Sequence, residues 1–168
     1  MRDFVLDSEF DLIIAALNTF AHLLTTRDQL GCLAAVKRHL APDGRFAFDL
    51  LTPQYEFLSA AQTSLPLMRF LGHQRAPTAD IEWFVQQASE EYDAESQILR
   101  RIYVSEIMPI TGEVRRFYEV VDFRMIFPQE LELLLQASRL VPQQRFGNVR
   151  RAPFGKGSMQ YTWIVGHV

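Results

Sequence analysis

The eight residues Phe10 to Leu17, FDLIIAAL, constrain this chain more than any other stretch. After Asp11 the run is apolar and holds adjacent isoleucines, which suits a strand buried on both faces, as in a parallel sheet. A parallel partner needs a crossover connection, and the sequence supplies one. Thr26-Arg27-Asp28-Gln29 matches a capping box, in which a hydroxyl accepts a backbone N–H of the first helical turn. Leu30, Leu33, Ala34, Lys37 and Leu40 continue at helical spacing, with the Lys37 stem flanking the stripe. Pro42-Asp43-Gly44 then ends the helix and turns the chain, and Arg45 to Leu51 reads as a second strand. Strand, helix and strand make a βαβ unit with parallel strands and a right-handed crossover.

Between residues 52 and 80 the prolines Pro53, Pro66 and Pro77 break any long element, and Leu65 to Leu71 reads as a short helix or a lid. From Ile81 the pattern changes to strands. Ile81 to Tyr92, Gln97 to Met108 and Val114 to Ile126 are joined by turns at Asp93 to Ser96 and Pro109 to Gly112, which predicts an antiparallel meander. Pro128 opens a second helix at the position proline favours, with Leu131, Leu134 and Leu135 as its buried stripe and an end near Ser138 to Pro142. Two strands close the chain, Val141 to Phe146 and Gln160 to Val168, with Arg150 to Ser158 as a loop between them. The expectation is one α/β domain over residues 1–168, carrying a three-stranded meander inserted at 81–126.

Composition excludes several classes. Lys and Arg number 17 against 20 Asp and Glu, for a net charge of -3, so no basic face for nucleic acid is expected. The 13 phenylalanines, five tyrosines and two tryptophans are too many for a chain that cannot collapse. The one cysteine, Cys32, leaves no internal disulfide and no multi-cysteine zinc site, and fits a reducing, cytoplasmic setting. Four scattered histidines make no metal site. The longest apolar run near the start, Leu12 to Leu17, falls short of the roughly 18 residues a spanning helix needs. Acids at Asp3, Asp7, Glu9 and Asp11 stand where a signal peptide would be basic and then apolar.

Several of these stretches together carry a resemblance. FDLII at Phe10 to Ile14, NTFAHL at Asn18 to Leu23, and the helix, turn and strand RHLAPDGRFAFD at Arg38 to Asp49 are matched in order and spacing. FPQEL at Phe127 to Leu131 and YTWIV at Tyr161 to Val165 follow at the positions of a last helix and a last strand. In these the chain resembles the later half of a class I S-adenosylmethionine (SAM) methyltransferase of the small-molecule type with an inserted antiparallel sheet. The resemblance covers nearly the whole chain but only part of the family's domain, which implies a partial Rossmann-like sheet. The family's Gly-rich turn and its ribose-binding acid have no counterpart, and no G-x-G pattern precedes Phe10. Met1-Arg2-Asp3-Phe4 matches the end of the family's D-M-R-D-F stretch without its first Asp. The expectation is that Met1 corresponds to an internal methionine of a longer ancestor, the chain being truncated, mis-started or half of a split protein.

By that resemblance Leu17, Asn18 and the backbone around Met1 and Arg2 border the cofactor, Thr19 borders the acceptor, and His22 orients the acceptor or serves as its general base. Asp49 ends the second strand at the cleft side of the sheet, where a carboxylate would hold a substrate amine. Tyr118 on the meander, with Tyr103 and Trp83, covers a substrate pocket. Each position has a plainer alternative. Asn18 caps a turn and His22 packs against the helix. Asp49 starts the next turn with Thr52 and Pro53. Leu17, Met1 and Arg2 are ordinary core and terminus, and the aromatic residues pack between sheet and helix. Cys32 reads as a small core residue and His39 as a cation at a helix end. The function implied is methyl transfer from SAM to a small-molecule acceptor, with SAM bound weakly or not at all by this chain alone. Without its first half, the strand Phe10 to Leu17 becomes an unpaired sheet edge. A homo-oligomer or a complementing half is then expected to cover it. The alternative is a non-catalytic remnant persisting as a dimerising or binding module.

Overall fold

The structure is a computed structural model that describes residues 1–63, 68–75 and 81–168. In chain order the elements are β1 (Phe10–Ala15), a 3-10 turn (Thr19–His22), α1 (Thr26–His39), β2 (Leu40–Leu51), α2 (Tyr55–Thr63), β3 (Arg69–Arg75), β4 (Ile81–Asp93), β5 (Ile98–Pro109), β6 (Arg115–Arg124), α3 (Pro128–Ala137), β7 (Leu140–Phe146) and β8 (Gln160–His167). They form two compact units, Met1–Tyr55 with Arg124–Val168, and Glu56–Phe123.

The first unit holds a four-stranded sheet in the order β1-β2-β8-β7, with β1 parallel to β2 and β8 antiparallel to both of its neighbours. Period-two alternation on β2 turns Phe46, Phe48 and Leu50 to one face, where they pair with Val165, Trp163 and Tyr161 of β8. All six are buried, and Leu33 of α1 with Leu131 and Leu135 of α3 join them in the core. Burying each such side chain contributes about 1.5–3 kcal/mol, so this face dominates the stability of the unit. Helix α3 starts at Pro128, buries Leu131, Leu134 and Leu135 and ends at Ser138, as its pattern predicts. The Tyr161 hydroxyl donates to the Ile126 carbonyl at 2.6 Å, tying β8 to the chain that enters α3. Burial raises the phenol above its ordinary range.

Three local expectations are corrected. The cap of α1 is Thr25, whose hydroxyl accepts the Asp28 N–H at 3.1 Å, one residue before the expected Thr26. The buried stripe is rotated accordingly and runs through Gln29, Cys32, Leu33, Val36 and His39, leaving Ala34 exposed. His39 is structural, but not as a helix-end cation. Its buried ring faces the Ala35 carbonyl through Nδ1 at 2.7 Å and accepts the Leu6 N–H through Nε2 at 2.8 Å, a pattern that needs the neutral ring. Pro42-Asp43-Gly44 lies inside β2 rather than before it. The register jumps from Phe10 opposite Leu40 to Leu12 opposite Arg45, so the expected turn is a bulge. Gly44 permits it, since a Cβ there would meet the Phe10 carbonyl oxygen at 2.8 Å and the Ala41 carbonyl oxygen at 2.9 Å.

Among the described residues strand β1 has one neighbour, β2, and stands at the sheet edge. Ile13 and Ala15 share the core face with Phe46 and Phe48, while Leu12 and Ile14 share the opposite face with Arg45 and Ala47. That second face is bare: Leu12 is 55 % exposed and Ile14 is 62 % exposed. The strand is thus apolar on both faces, as its sequence predicts, yet covered on one.

The second unit contains the meander, β4, β5 and β6, extended to four strands by β3 beside β4. Of the stretch expected as a helix or lid, residues 69–71 belong to β3 and residues 65–67 lie outside the described residues. Ion pairs link these strands. Arg100 holds Asp122 through two hydrogen bonds of 2.9 and 3.0 Å, Arg116 pairs with Glu106, and Glu90 is shared by Arg69 at 2.6 Å and Arg101 at 3.1 Å.

Candidate functional site

Ligands of open α/β sheets bind beyond the carboxyl ends of parallel strands, and the chain leaving β1 does something unusual there. Leu17 has φ 58° and Asn18 has φ 60° and ψ 19°, two successive non-glycine residues in the left-handed region. Such a conformation costs roughly 1–2 kcal/mol per residue, and for a bulky residue it is a true outlier. One carboxylate holds it. The Leu17 N–H donates to Asp49 Oδ1 at 2.8 Å and the Asn18 N–H donates to Asp49 Oδ2 at 3.1 Å. In return, Asn18 Oδ1 accepts the Leu51 N–H at 3.0 Å. The last residues of β2 thereby clamp the turn that follows β1.

The clamp leaves two groups in opposite settings. Leu17 is 88 % exposed, an apolar side chain offered to solvent at the top of the sheet. Asn18 is only 9 % exposed, and its Nδ2 has no hydrogen-bond partner among the described residues. A buried N–H donor without an acceptor costs about 1–3 kcal/mol, and in a native site it asks for an explanation. A ligand oxygen supplied there would remove that cost. The Thr19 hydroxyl turns back to the Ala16 carbonyl, and His22 stands exposed at the end of the same 3-10 turn. Leu17, Asn18, Thr19 and Asp49 are therefore gathered at one corner, with His22 one turn away. Asp49 has a task that neither sequence reading named, since both of its oxygens hold backbone.

Met1 and Arg2 lie along α1. Arg2 pairs with Asp28 at 3.5 Å, and both line an open cavity of about 940 Å³ with Thr25, Gly31 and Arg38. The cavity runs along α1 from its Thr25 cap to Arg38 in its last turn. Tyr118 stands 68 % exposed on β6, in the second unit. Two side chains at the start of α1, Thr25 and Gln29, shape the corner in ways the expected capping box did not give. Gln29 is fully buried and its Nε2 donates to the Leu23 carbonyl at 2.9 Å, pinning the 3-10 turn to α1. The adjacent threonines with Asp28 in register were the available signal for the Thr25 cap. Cys32 is buried within α1, and desolvation pushes its thiol up to about 11, which makes it inert. Among the described residues no group of His, Cys, Asp and Glu is placed to hold a metal ion, and no helix is long and apolar enough to cross a membrane.

No family model matches the sequence, and no curated protein does. Solved structures do match its fold. A SAM-dependent methyltransferase from Clostridium acetobutylicum superposes with a TM-score of 0.78 at 17 % identity, covering 99 % of this chain and 61 % of that one. The CcbJ methyltransferase from Streptomyces caelestis gives 0.73 at 21 % identity, with the same coverage of both chains. The SAM-bound amino pentose methyltransferase CalS10 from Micromonospora echinaspora gives 0.67 at 16 % identity, covering 97 % of this chain and 61 % of that one. The chain thus spans about three fifths of the length of the structures it matches.

Proposed function

We propose, from the α/β fold it shares with part of small-molecule SAM-dependent methyltransferases, that the chain is the acceptor-side, C-terminal portion of such an enzyme, with the second unit inserted into a single domain and a cytoplasmic setting. The observation that carries the reading is the corner at the end of β1, where Asp49 holds Leu17 and Asn18 in the left-handed region and leaves a buried amide donor unpaired. An unpaired donor beside an exposed apolar side chain fits a ligand with a carboxylate or carbonyl oxygen next to an apolar stretch. Leu17, Asn18, Met1 and Arg2 would hold SAM on one side. When bound, SAM supplies a sulfonium methyl for direct displacement by a nucleophile of a small acceptor. Thr19 would orient that acceptor, and His22 would take its proton. Positioning does most of the work in such a transfer, so a strong acid–base pair is not required. Asp49 acts through the turn it holds and is a positioning residue.

The corner forms one wall of a site. Each polar contact that a second wall would add is worth about 0.5–1.5 kcal/mol, and each 1.4 kcal/mol is about tenfold in affinity. Affinity of the chain alone for SAM or its demethylated product is therefore expected near or above about 1 mM, equivalent to roughly -4 kcal/mol or weaker. Nuclear magnetic resonance titration with the demethylated product at several millimolar tests this. Amide shifts confined to Met1–Arg2 and Leu17–His22 support the reading. Single-site micromolar binding by calorimetry would overturn the incomplete-site argument. Absence of shifts at these residues would favour the second reading, a non-catalytic module, which the bare edge of β1 supports independently. Completion of the site by a second polypeptide, another copy or a complementing half, belongs to the first reading.

A further inference from the structure

One buried titratable side chain of the first unit takes no part in the corner. His39, in the last turn of α1, is 4 % exposed, and it fastens the chain that precedes β1 to the helix. Its Nε2 accepts the Leu6 N–H at 2.8 Å, and the Phe4 ring lies against the imidazole with centroids 4.9 Å apart. Arg38 beside it donates to the Phe4 carbonyl at 3.2 Å and to Asp3 at 3.1 Å. Nearer the start of α1, Gly31 lets the Arg2 backbone lie close, since a Cβ there would meet the Arg2 carbonyl oxygen at 3.0 Å. The segment is thus laid along α1, and its hydrogen bond to His39 needs a lone pair on the ring.

We infer that His39 is a proton-operated latch: the neutral ring holds Phe4–Leu6 on α1, and protonation releases them. The two ring nitrogens are not equivalent. Nδ1 faces the Ala35 carbonyl at 2.7 Å, an acceptor, so this nitrogen carries its hydrogen in either charge state. An added proton goes to Nε2, which then aims a donor at the Leu6 donor.

The surroundings offer the charged ring another partner. An open cavity of about 370 Å³ beside it is lined by Val5 to Glu9 together with Arg38 and His39, so the same segment brings Asp7 and Glu9 to this place. A carboxylate and a protonated imidazole make a charge-assisted hydrogen bond. The other charged and titratable groups do not oppose the exchange. Arg38 is engaged by Asp3, and Lys37 precedes it on α1. His167 of β8 faces the Leu40 carbonyl at 3.0 Å, an acceptor that suits it neutral or charged. Two arrangements of one segment are therefore available, and the proton chooses between them. The sign follows: the latch is closed on the alkaline side of the ring's titration. As pH falls through it, the ratio of held to released segment drops by at most about tenfold per pH unit.

The latch stands apart from the proposed methyl transfer. Its consequence rests on that reading, because Met1 and Arg2, assigned there to the cofactor, belong to the same segment.

Nuclear magnetic resonance of the isotope-labelled chain from about pH 8 to about pH 5, the range in which histidines change charge, tests the latch. No cofactor is added, so failure of the methyltransferase reading cannot alter the result. The His39 ring protons and the Leu6 amide are expected to shift with one common midpoint. Below it the heteronuclear Overhauser effect of residues 2–6 is expected to fall to the level of a mobile segment. His39→Gln, whose amide oxygen accepts a backbone N–H at every pH in this range, is expected to abolish the step. A Leu6 amide that does not move, a ring that titrates while residues 2–6 stay ordered, or a step that persists in His39→Gln would each overturn the inference.

Discussion

Replacing Asp49 with alanine removes the acceptor of two backbone N–H groups at once. Hydrogen bonds to a charged group are worth about 1.5–3 kcal/mol each. At this partly exposed corner water replaces some of that, and the two left-handed residues lose what holds them there. A net loss of about 2–3 kcal/mol follows. At about 2–4 °C per kcal/mol for a chain of this size, Tm falls by about 4–12 °C. In urea the midpoint falls by about 1 M for a slope of about 2–3 kcal/mol per molar, with the slope unchanged. Leu17→Gly provides the internal control. Glycine enters the left-handed region freely, and at 88 % exposure the leucine buries little. Relief of about 1–2 kcal/mol of strain, less glycine's entropy of about 0.5–1 kcal/mol, makes Leu17→Gly stabilising by about 0.5–1 kcal/mol. Once the strain is gone the clamp has less to hold, so Asp49→Ala is expected to cost about 1 kcal/mol less in the Leu17→Gly background. Equal costs in the two backgrounds, or a cost below about 0.5 kcal/mol in the parent, would refute the claim that the carboxylate holds a strained turn.

Gly44→Ala drives a methyl into the backbone of Phe10 and Ala41, which cannot swing aside. The expected loss is about 1–3 kcal/mol, read by thermal unfolding, and a neutral substitution would mean that the bulge yields. The thiol of Cys32 is raised from 9.0 to about 11 by burial. The folded chain then holds a proton that the unfolded chain releases, so this stability is full below pH 9 and is lost as pH rises towards 11. Cys32→Ala is expected to flatten that part of the alkaline stability curve. The parent thiol is expected to react with a disulfide reagent at pH 8 only after denaturation, and rapid labelling of the folded chain would contradict the placement.

The elements set by long hydrophobic periods were legible. The parallel pairing of β1 with β2 and the stripe and ends of α3 follow from patterns that tertiary packing reinforces. The meander followed from alternation and turn residues, while β3 and α2 were hidden by a proline-rich stretch with little periodicity. Pro42-Asp43-Gly44 misled because the same residues serve a turn and a bulge, and only the partner strand decides between them. Thr25 and Thr26 differ as caps by the rotation of one residue, which sequence does not resolve. At the site, Asn18 and Thr19 came from resemblance and Asp49 from its place at the strand end, and no local rule places a leucine at φ 58°. That conformation is imposed by a carboxylate 32 positions later, which is why the clamp was not legible from nearby residues.

The position of β8 carries a consequence for how the protein is made. It is the last strand in the sequence, yet it lies between β2 and β7, which do not touch each other without it. During synthesis β2 leaves the ribosome early and waits with an open flank until Gln160–His167 emerges. The second unit, contiguous in sequence, can close in the meantime. A nascent product stalled short of those eight residues has β1 and β2 unjoined to β7 and Phe46, Phe48 and Leu50 without their β8 partners, the kind of species that chaperones bind and proteases clear.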